Sequence, residues 1–337
     1  MKAGNPPVTD IPARAVVADI GGTNARFAVA DLASFALSDV VHVPCAQHPS
    51  LAAAMLDYLK GLRHPPHHAA IAVAAPVLGE DIRLTNSPWS FSCAELCRVA
   101  GLQGLHVLND FEALALSLPH LAPAELHQVG GGQPLPHGTK VVLGPGTGLG
   151  VAGLVWSPSG WVAMPGEGGH VTLGAHDARE LALVERLGQG REHLSMERAL
   201  SGMGLPDLYR AVLALDGRED ETIEPREVVA RAASGDDRQA TEALDLFITW
   251  LGRFAGDVAL VMGARGGVYL GGGIPPKLVP QLSAGTFRAA FEAKGRMGAF
   301  LAPIPVYVIL AAFAALTGAA AGLRTALASG SASVTRP

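Results

Sequence analysis

Cysteine is scarce in this sequence, with only Cys45, Cys93 and Cys97 among 337 residues. An odd, sparse set excludes a disulfide framework and fits a reducing compartment. Cys93 and Cys97 are four apart, the spacing of one helix face, and without further Cys or His at set intervals they read as core thiols rather than metal ligands. Aromatic residues make up only 5%, so Ala, Val, Leu and Gly must carry the core. Such small residues suit close packing of helix on sheet. No excess of basic charge exists: 25 basic and 30 acidic side chains leave a net charge of −5. A general nucleic-acid binder needs a basic surface and is not expected. A phosphate ligand is still compatible, because a few glycine amides can hold an anion without net positive charge. A Walker lysine is missing too, since Gly-Lys-Ser and Gly-Lys-Thr occur nowhere. Any ATP site here is therefore not a P-loop. The opening MKAGNPPVTDIPAR has no apolar run and reads as neither signal peptide nor anchor. Residues 297–323 carry no charge and are long enough to cross a bilayer. Pro303 and Pro305 open that stretch, however, and it reads as a buried strand over 305–310 and a small-residue helix over 311–323. No membrane association is expected.

What is present alternates strands with helices. Residues 16–19 form a short apolar strand, followed by Gly21-Gly22-Thr23 and a second strand over 27–30, a hairpin with a glycine turn. Pro49-Ser50 starts a helix with Leu51, Met55, Leu59 and Leu62 at helical spacing. His64, His67 and His68 lie in a Pro-rich segment and read as solvated loop residues. Residues 69–75 are a continuous apolar run, as in a strand buried on both faces. A strand over 105–108 stops at Asn109-Asp110, and a helix over 111–118 follows. Residues 141–143, the turn Gly144-Pro145-Gly146-Thr147-Gly148 and the apolar run 149–155 repeat the opening pattern of strand, glycine-threonine turn, strand. Two such hairpins could grip one polyphosphate. Further on, 181–187, 196–200 and 206–215 read as short helices and 217–224 as a charged surface connection. Residues 243–261 read as a long helix interrupted by Gly252 and Gly256. A strand over 268–270 runs into Gly271-Gly272-Gly273, and Pro275 opens a helix where its missing N–H costs nothing.

Several of these segments could carry chemistry, and each has a plainer reading. In Asp19-Ile20-Gly21-Gly22-Thr23-Asn24 the glycines can point main-chain N–H groups at an anion, with hydrogen bonds added by Thr23 and Asn24. A carboxylate beside a phosphate repels it unless a cation intervenes, so Asp19 makes sense as a partner of Mg²⁺, bound directly or through water. An ordinary Gly-Gly hairpin explains the same residues. Asp110, at a strand end, could accept the proton of an attacking hydroxyl. Asn109 and Glu112 also spell a capping box, which accounts for the pair by itself and is compatible with the first reading. Pro165-Gly166-Glu167-Gly168-Gly169-His170 sets a carboxylate and an imidazole in a glycine-rich segment able to meet vicinal hydroxyls, or is an exposed turn. Glu197, after the expected N-cap Ser195, is explained by the helix dipole alone.

Together the segments resemble bacterial glucokinase. The matching stretches are DIGGTNARFAVAD from Asp19, LNDFEALALSLP from Leu108, GPGTGLGVAGLV from Gly144 and PGEGGHVTLG from Pro165. They continue with SMERALSGMGLPDLYRA from Ser195, GDVALVMGARGGVYLGGGI from Gly256 and FRAAFEAKGR from Phe287. The resemblance runs from about residue 16 to 324. It implies the two-domain actin/hexokinase (ribonuclease H-like) α/β fold, with a cleft between a smaller α/β domain (14–120 plus 311–330) and a larger α+β domain (121–310). It also implies ATP-dependent phosphorylation of glucose to glucose 6-phosphate, the first step of glycolysis, by a cytoplasmic homodimer using ATP and Mg²⁺. Asp110 matches the catalytic base, and Asn109, Asp110, Glu167, His170 and Glu197 match the glucose ligands. Asp19, Gly21, Gly22, Thr23 and Asn24 match the first phosphate loop, with Asp19 acting on Mg²⁺ indirectly. Gly146, Thr147 and Gly148 match the second loop, and Gly271, Gly272 and Gly273 the turn near the adenosine. One departure is Ala311-Ala312-Phe313-Ala314, where some relatives carry a polar His-Asn-Pro stretch. A kinase for another hexose, a sugar-responsive regulator and an actin-like assembly ATPase are the alternatives. The regulator lacks a DNA-binding segment before Val16, and the assembly ATPase would leave Glu167, His170 and Glu197 without a purpose.

Overall fold

Alternation along the first strands decides how the chain layers. In the computed structural model, which describes residues 11–84, 89–219, 221–330 and 334–335, the chain divides into two units. One takes in the described residues up to Leu121 and those from Ala311 onward, and the other is Ala122–Leu310. The first ten residues of the N-terminal segment discussed above lie outside the described residues.

In the first unit the strands are β1 (Arg14–Ile20), β2 (Asn24–Asp31), β3 (Leu37–Pro44), β4 (His68–Val73), β5 (Asp81–Arg83), β6 (Ser90–Ser92) and β7 (Gly104–Asn109). The helices are α1 (Leu51–Gly61), α2 (Cys93–Ala100) and α3 (Asp110–Ser117). The chain returns to this unit with the last helix and a short last strand. The main sheet runs, from one edge, last strand, β7, β4, β1, β2, β3. β1 pairs antiparallel with β2 and parallel with β4, and β4 pairs parallel with β7. Val16, Ala18, Ile20, Ile71 and Val73 point to one face, where Leu51, Met55, Leu96 and Cys97 from α1 and α2 cover them. Ala15, Val17, Ala70 and Ala72 point to the other, under Ala113 of α3 and Leu316, Ala319, Ala320 and Leu323 near the C-terminus. Period-2 alternation with both faces apolar is what makes 69–73 read as one continuous run. Cys93 and Cys97 are buried. His64 and His67 are exposed as expected, but His68 opens β4 and is half-buried, because the strand begins earlier than the apolar run.

The second unit holds β8 (Leu126–Val129), β9 (Lys140–Pro145), β10 (Leu149–Ser157), β11 (Gly160–Gly166), β12 (Val268–Leu270) and β13 (Val306–Ile309). Its helices are α4 (Ala178–Gly188), α5 (Met196–Ala199), α6 (Gly204–Leu215), α7 (Pro225–Ser234), α8 (Arg238–Met262), α9 (Val279–Ser283), α10 (Thr286–Glu292) and α11 (Gly298–Leu301). The last helix of the first unit is then α12 (Ala314–Ala328) and its last strand β14 (Val334–Thr335). One core joins Val141, Leu143, Val268 and Val306 of the sheet to Phe247, Trp250 and Phe254 of α8 and to Phe287 and Phe291 of α10. Phe247, Phe287 and Phe291 are fully buried, each worth up to about 3 kcal/mol by removal from water.

Several expectations change here. α8 is not interrupted: it runs unbroken through Gly252 and Gly256. A Cβ at Gly256 would sit 2.5 Å from the Phe291 carbonyl oxygen, and one at Gly252 would sit 3.1 Å from the Ala290 Cβ. The glycines are there to let α10 approach, not to break the helix. Pro275 opens a 3-10 turn, Pro275–Leu278, and only then α9. Pro275, Pro276 and Pro280 lack the N–H groups a continuous helix needs. α7 was not foreseen, although Pro225 at its first turn and Gly235 at its left-handed end (φ 76°) mark both boundaries. No helix among the described residues is long and apolar enough to cross a membrane.

The weak repeat in the sequence is a repeat of topology. The five strands β1, β2, β3, β4 and β7 lie in the order β7-β4-β1-β2-β3, and β9 to β13 lie in the order β13-β12-β9-β10-β11. Both sheets therefore place one glycine hairpin in the middle, with a parallel strand beside it.

Candidate active site

In the first unit the site forms at the carboxyl ends of three adjacent parallel strands. The turn after β1 is closed by the Gly21 N–H donating to the Asn24 carbonyl at 3.0 Å. The Cys45 N–H donates to the Thr23 carbonyl at 2.8 Å and its thiol to the Gly21 carbonyl at 3.7 Å, so β3's end braces the turn from outside. Thr23 and Asn24 are exposed, and Asn24 Nδ2 donates to Thr23 Oγ1 at 3.0 Å. Asp19 stands across the hairpin from Arg26 in register, and Arg26 Nη1 donates to Asp19 Oδ2 at 3.0 Å. Burial pushes the Asp19 carboxyl above its ordinary 3.8, and the charge and hydrogen bond of Arg26 oppose that rise.

Two strands away, β7 delivers Asn109 and Asp110. The capping box is formed. Asn109 Oδ1 accepts from the N–H groups of Phe111 (2.9 Å) and Glu112 (3.3 Å), and Glu112 Oε2 accepts from the Asn109 N–H at 3.4 Å. Asn109 Nδ2 also donates to the Ala75 carbonyl at 3.3 Å. The Ala74 N–H in turn donates to the Ile20 carbonyl at 3.2 Å. Residues 74–75 thus tie Ile20, just before the first glycine turn, to Asn109 through one main-chain bond and one from the Asn109 side chain. Asp110 is the first residue of α3, half-buried, with Oδ1 accepting from the Phe111 N–H at 2.9 Å. The cap forms, and it leaves Asp110 at the strand end, as the spacing allowed.

In the second unit the other predicted residues converge. The Gly146 N–H donates to the Gly148 carbonyl at 2.7 Å, closing the second turn. Gly272 has φ 83°, open to glycine without strain. A Cβ there would sit 2.7 Å from the Pro145 carbonyl oxygen, and a Cβ at Gly144 would sit 2.8 Å from the Gly271 carbonyl carbon. The two glycine turns therefore lie backbone against backbone. The Ile274 N–H adds a bond to the Pro145 carbonyl at 3.3 Å. Glu167 and His170 follow β11 around a short 3-10 turn. Their side chains are each 59% exposed, with Glu167 Oε2 3.9 Å from His170 Nε2. Gly168 and Gly169 of this segment press on Val151 and Leu149 of β10. Glu197 lies in the first turn of α5, and its Oε2 accepts from the Leu149 N–H at 2.8 Å. The helix-dipole explanation of Glu197 is thus incomplete, because the carboxylate holds the second turn. Ser195 occupies the N-cap position but makes no side-chain cap bond and is buried.

The sequence reading missed Arg26, Cys45 and Gly202. Arg26 was findable, because a hairpin centred on residues 22 and 23 sets 19 opposite 26. Cys45 and Gly202, whose N–H donates to the Gly146 carbonyl at 2.8 Å, carry no local signal. Among the described residues no group of three or more His, Cys, Asp or Glu side chains is placed to hold a metal ion. One carboxylate at Asp19 with the Thr23 hydroxyl nearby in sequence is too few donors for a resident metal. It fits a hard cation that keeps its waters and arrives on nucleotide phosphates.

The glucokinase family profile matches residues 16–326. A glucokinase from Chromobacterium violaceum is 47% identical over 315 residues, covering 93% of this chain and 90% of its own. Among solved structures, a glucokinase from an Antarctic psychrotroph superposes with a TM-score of 0.83 at 35% identity, covering 93% of this chain and 99% of its own. A ROK family glucokinase from Streptomyces griseus in complex with glucose and AMPPNP superposes with a TM-score of 0.61 at 20% identity, over 91% of this chain and 98% of its own. At that identity the likeness speaks to the fold.

Proposed function

This chain belongs to the glucokinase family, and we propose that it transfers the terminal phosphoryl group of ATP to the 6-hydroxyl of glucose with Asp110 as catalytic base. The observation that carries the role of Asp110 is its placement. It leaves the carboxyl end of a parallel strand, half-buried, on a helix whose first turn the Asn109–Glu112 box fixes. A base must be held still to act on one hydroxyl, and the cap fixes the backbone that carries Asp110.

In the reaction the 6-hydroxyl oxygen forms a bond to the terminal phosphorus while the bond from that phosphorus to the ADP oxygen breaks. The hydroxyl proton passes to the Asp110 carboxylate. Asn109, Glu167, His170 and Glu197 orient the sugar through its other hydroxyls. Main-chain N–H groups of the turns at 21–24 and 146–148, other than those of Gly21 and Gly146 that close the turns, would receive the phosphates, and the turn at 271–273 would lie beside the nucleoside. Mg²⁺, when bound, offsets phosphate charge, and Asp19 would face it through water. Arg26 keeps Asp19 aimed. The protein supplies positions and charges rather than covalent chemistry. Its three free thiols support a reducing cytoplasm as its setting, and the resemblance supports a homodimer acting in the first step of glycolysis.

The test follows glucose 6-phosphate formed from Mg-ATP and glucose. Asp110→Asn is expected to lower kcat by about 10² to 10⁴ while glucose binding stays within a few-fold. A kcat within a few-fold of the unsubstituted enzyme overturns the role of Asp110. Initial rates across a panel of hexoses decide how strictly glucose is selected, and light scattering on the eluted protein decides the dimer.

A further inference from the structure

We propose that Glu197 is a positioning residue for the nucleotide, so that one carboxylate joins sugar binding to the second phosphate turn. The inference rests on the sugar reading of Glu197 given above and adds a second duty. Glu197 Oε2 takes the Leu149 N–H at 2.8 Å, the amide immediately after the turn at 146–148. The carboxylate lies so close to Gly148 that a Cβ there would meet its Cδ at 3.1 Å. The same short segment holds the turn from its other side, where the Gly202 N–H donates to the Gly146 carbonyl at 2.8 Å. Residues 197–202 therefore clamp both ends of the turn, one by a charged acceptor and one by a main-chain donor.

That clamp is continuous with the sugar segment. The Met196 N–H donates to the Val171 carbonyl at 2.8 Å, the Leu173 N–H donates to the Leu194 carbonyl at 2.9 Å, and Thr172 bridges Ser195. Val171 directly follows His170. The turn of Glu167 and His170 also presses through Gly169 onto Leu149, where a Cβ would stand 2.9 Å from the Leu149 carbonyl carbon. A carboxylate offers roughly four acceptor positions, and the Leu149 N–H uses one. A sugar hydroxyl donating to another would fix the side chain's rotamer and with it the turn. Glucose should then tighten nucleotide binding, and nucleotide should tighten glucose binding by the same factor.

The experiment measures binding of Mg-AMPPNP by calorimetry, without sugar and with saturating glucose. In the unsubstituted enzyme glucose is expected to tighten AMPPNP binding by at least about fivefold. Glu197→Ala strips the Leu149 N–H of its charged acceptor. It should weaken sugar-free AMPPNP binding by about tenfold and bring the glucose effect to none. Glu197→Gln keeps an oxygen for Leu149 and should restore most of the sugar-free affinity. Glu167→Gln should weaken glucose and leave sugar-free AMPPNP binding unchanged. Should the alanine variant not fold, Glu197→Asp, one methylene short, is expected to lose sugar-free affinity that Glu197→Gln keeps. Sugar-free AMPPNP affinity unchanged in Glu197→Ala, or in Glu197→Asp, overturns the positioning role and leaves Glu197 a sugar ligand only. If glucose binds to no form of the protein, the glucose reading fails instead, and the sugar-free arm still decides the positioning role.

Discussion

Gly318→Ala should destabilise the first unit even though alanine is the better helix former. Gly318 lies inside α12, where exchange to alanine in a free helix gains up to about 1 kcal/mol. Here a Cβ would sit 2.5 Å from the Ala113 carbonyl carbon and 3.0 Å from the Ser117 amide nitrogen, with the Ala113 carbonyl oxygen nearer still. Ordinary carbon–carbon contact is about 3.5 to 4 Å, so α3 and α12 must part by about 1 Å or more. The layer between them is built of Ala113, Ala319 and Ala320, which have no long side chains to flex away. Overpacking of this kind costs about 1–3 kcal/mol, enough to exceed the propensity gain. The comparison is Gly61→Ala at the end of α1, where a Cβ meets nothing within 4 Å and φ is not positive. That change should stabilise by a few tenths of a kcal/mol to about 1 kcal/mol. Denaturant titration with far-UV circular dichroism reads both. Because α3 begins at Asp110, Gly318→Ala should also lower kcat while glucose 6-phosphate formation remains measurable. Equal stabilisation by the two alanines would refute the claim that Gly318 serves close approach of α3 to α12.

The other predictions concern groups the fold buries. All four tyrosines, Tyr58, Tyr209, Tyr269 and Tyr307, are held above their ordinary 10, chiefly by burial, and Tyr269 is pushed up to about 12. An acid with a raised native pKa contributes stability that is full below pH 10 and lost as pH climbs through the native value. Absorbance of tyrosinate near 295 nm should therefore rise later with pH than for free tyrosine, and a midpoint near 10 for all four in folded protein would refute this. The thiols should be slow as well. Burial, with Cys97, Glu80 and Asp81 adding to it, pushes Cys93 up to about 11, and burial also raises Cys45 and Cys97. At pH 8 about one Cys93 in a thousand is thiolate, so an aromatic disulfide reagent should label the native protein slowly and all three thiols at once after unfolding. Rapid stoichiometric labelling of native protein would show that a thiol is exposed.

Much of the site was legible because its signals are local. The capping box of Asn109 and Glu112 needs only a four-residue window, and it forms as its spacing requires. The central strands were legible for the same reason: apolar runs such as 69–73 and 268–270 carry their own two-faced burial. Edge strands were not. β3 is mostly exposed, and β11, though apolar in composition, is buried at no position, and what makes them strands is the neighbour each hydrogen-bonds. α7 had its boundaries written in Pro225 and Gly235, but its body lacks a strong apolar stripe.

The glycines mark the limit most clearly. Their positions in the sequence named the two proposed phosphate turns and the family to which the chain belongs. They could not tell a turn from a close approach, because a missing Cβ has both uses and the choice rests with whatever packs opposite. Gly252 and Gly256 looked like breaks and are contact points for α10. Glu197 looked like a dipole partner and is the acceptor for Leu149, 48 residues away. Sequence by itself determined the central strands, the chemistry on offer and the family. Tertiary structure alone decided which backbone each glycine admits and which amide each carboxylate holds, because those partners are distant in the chain and meet only once the sheets have formed.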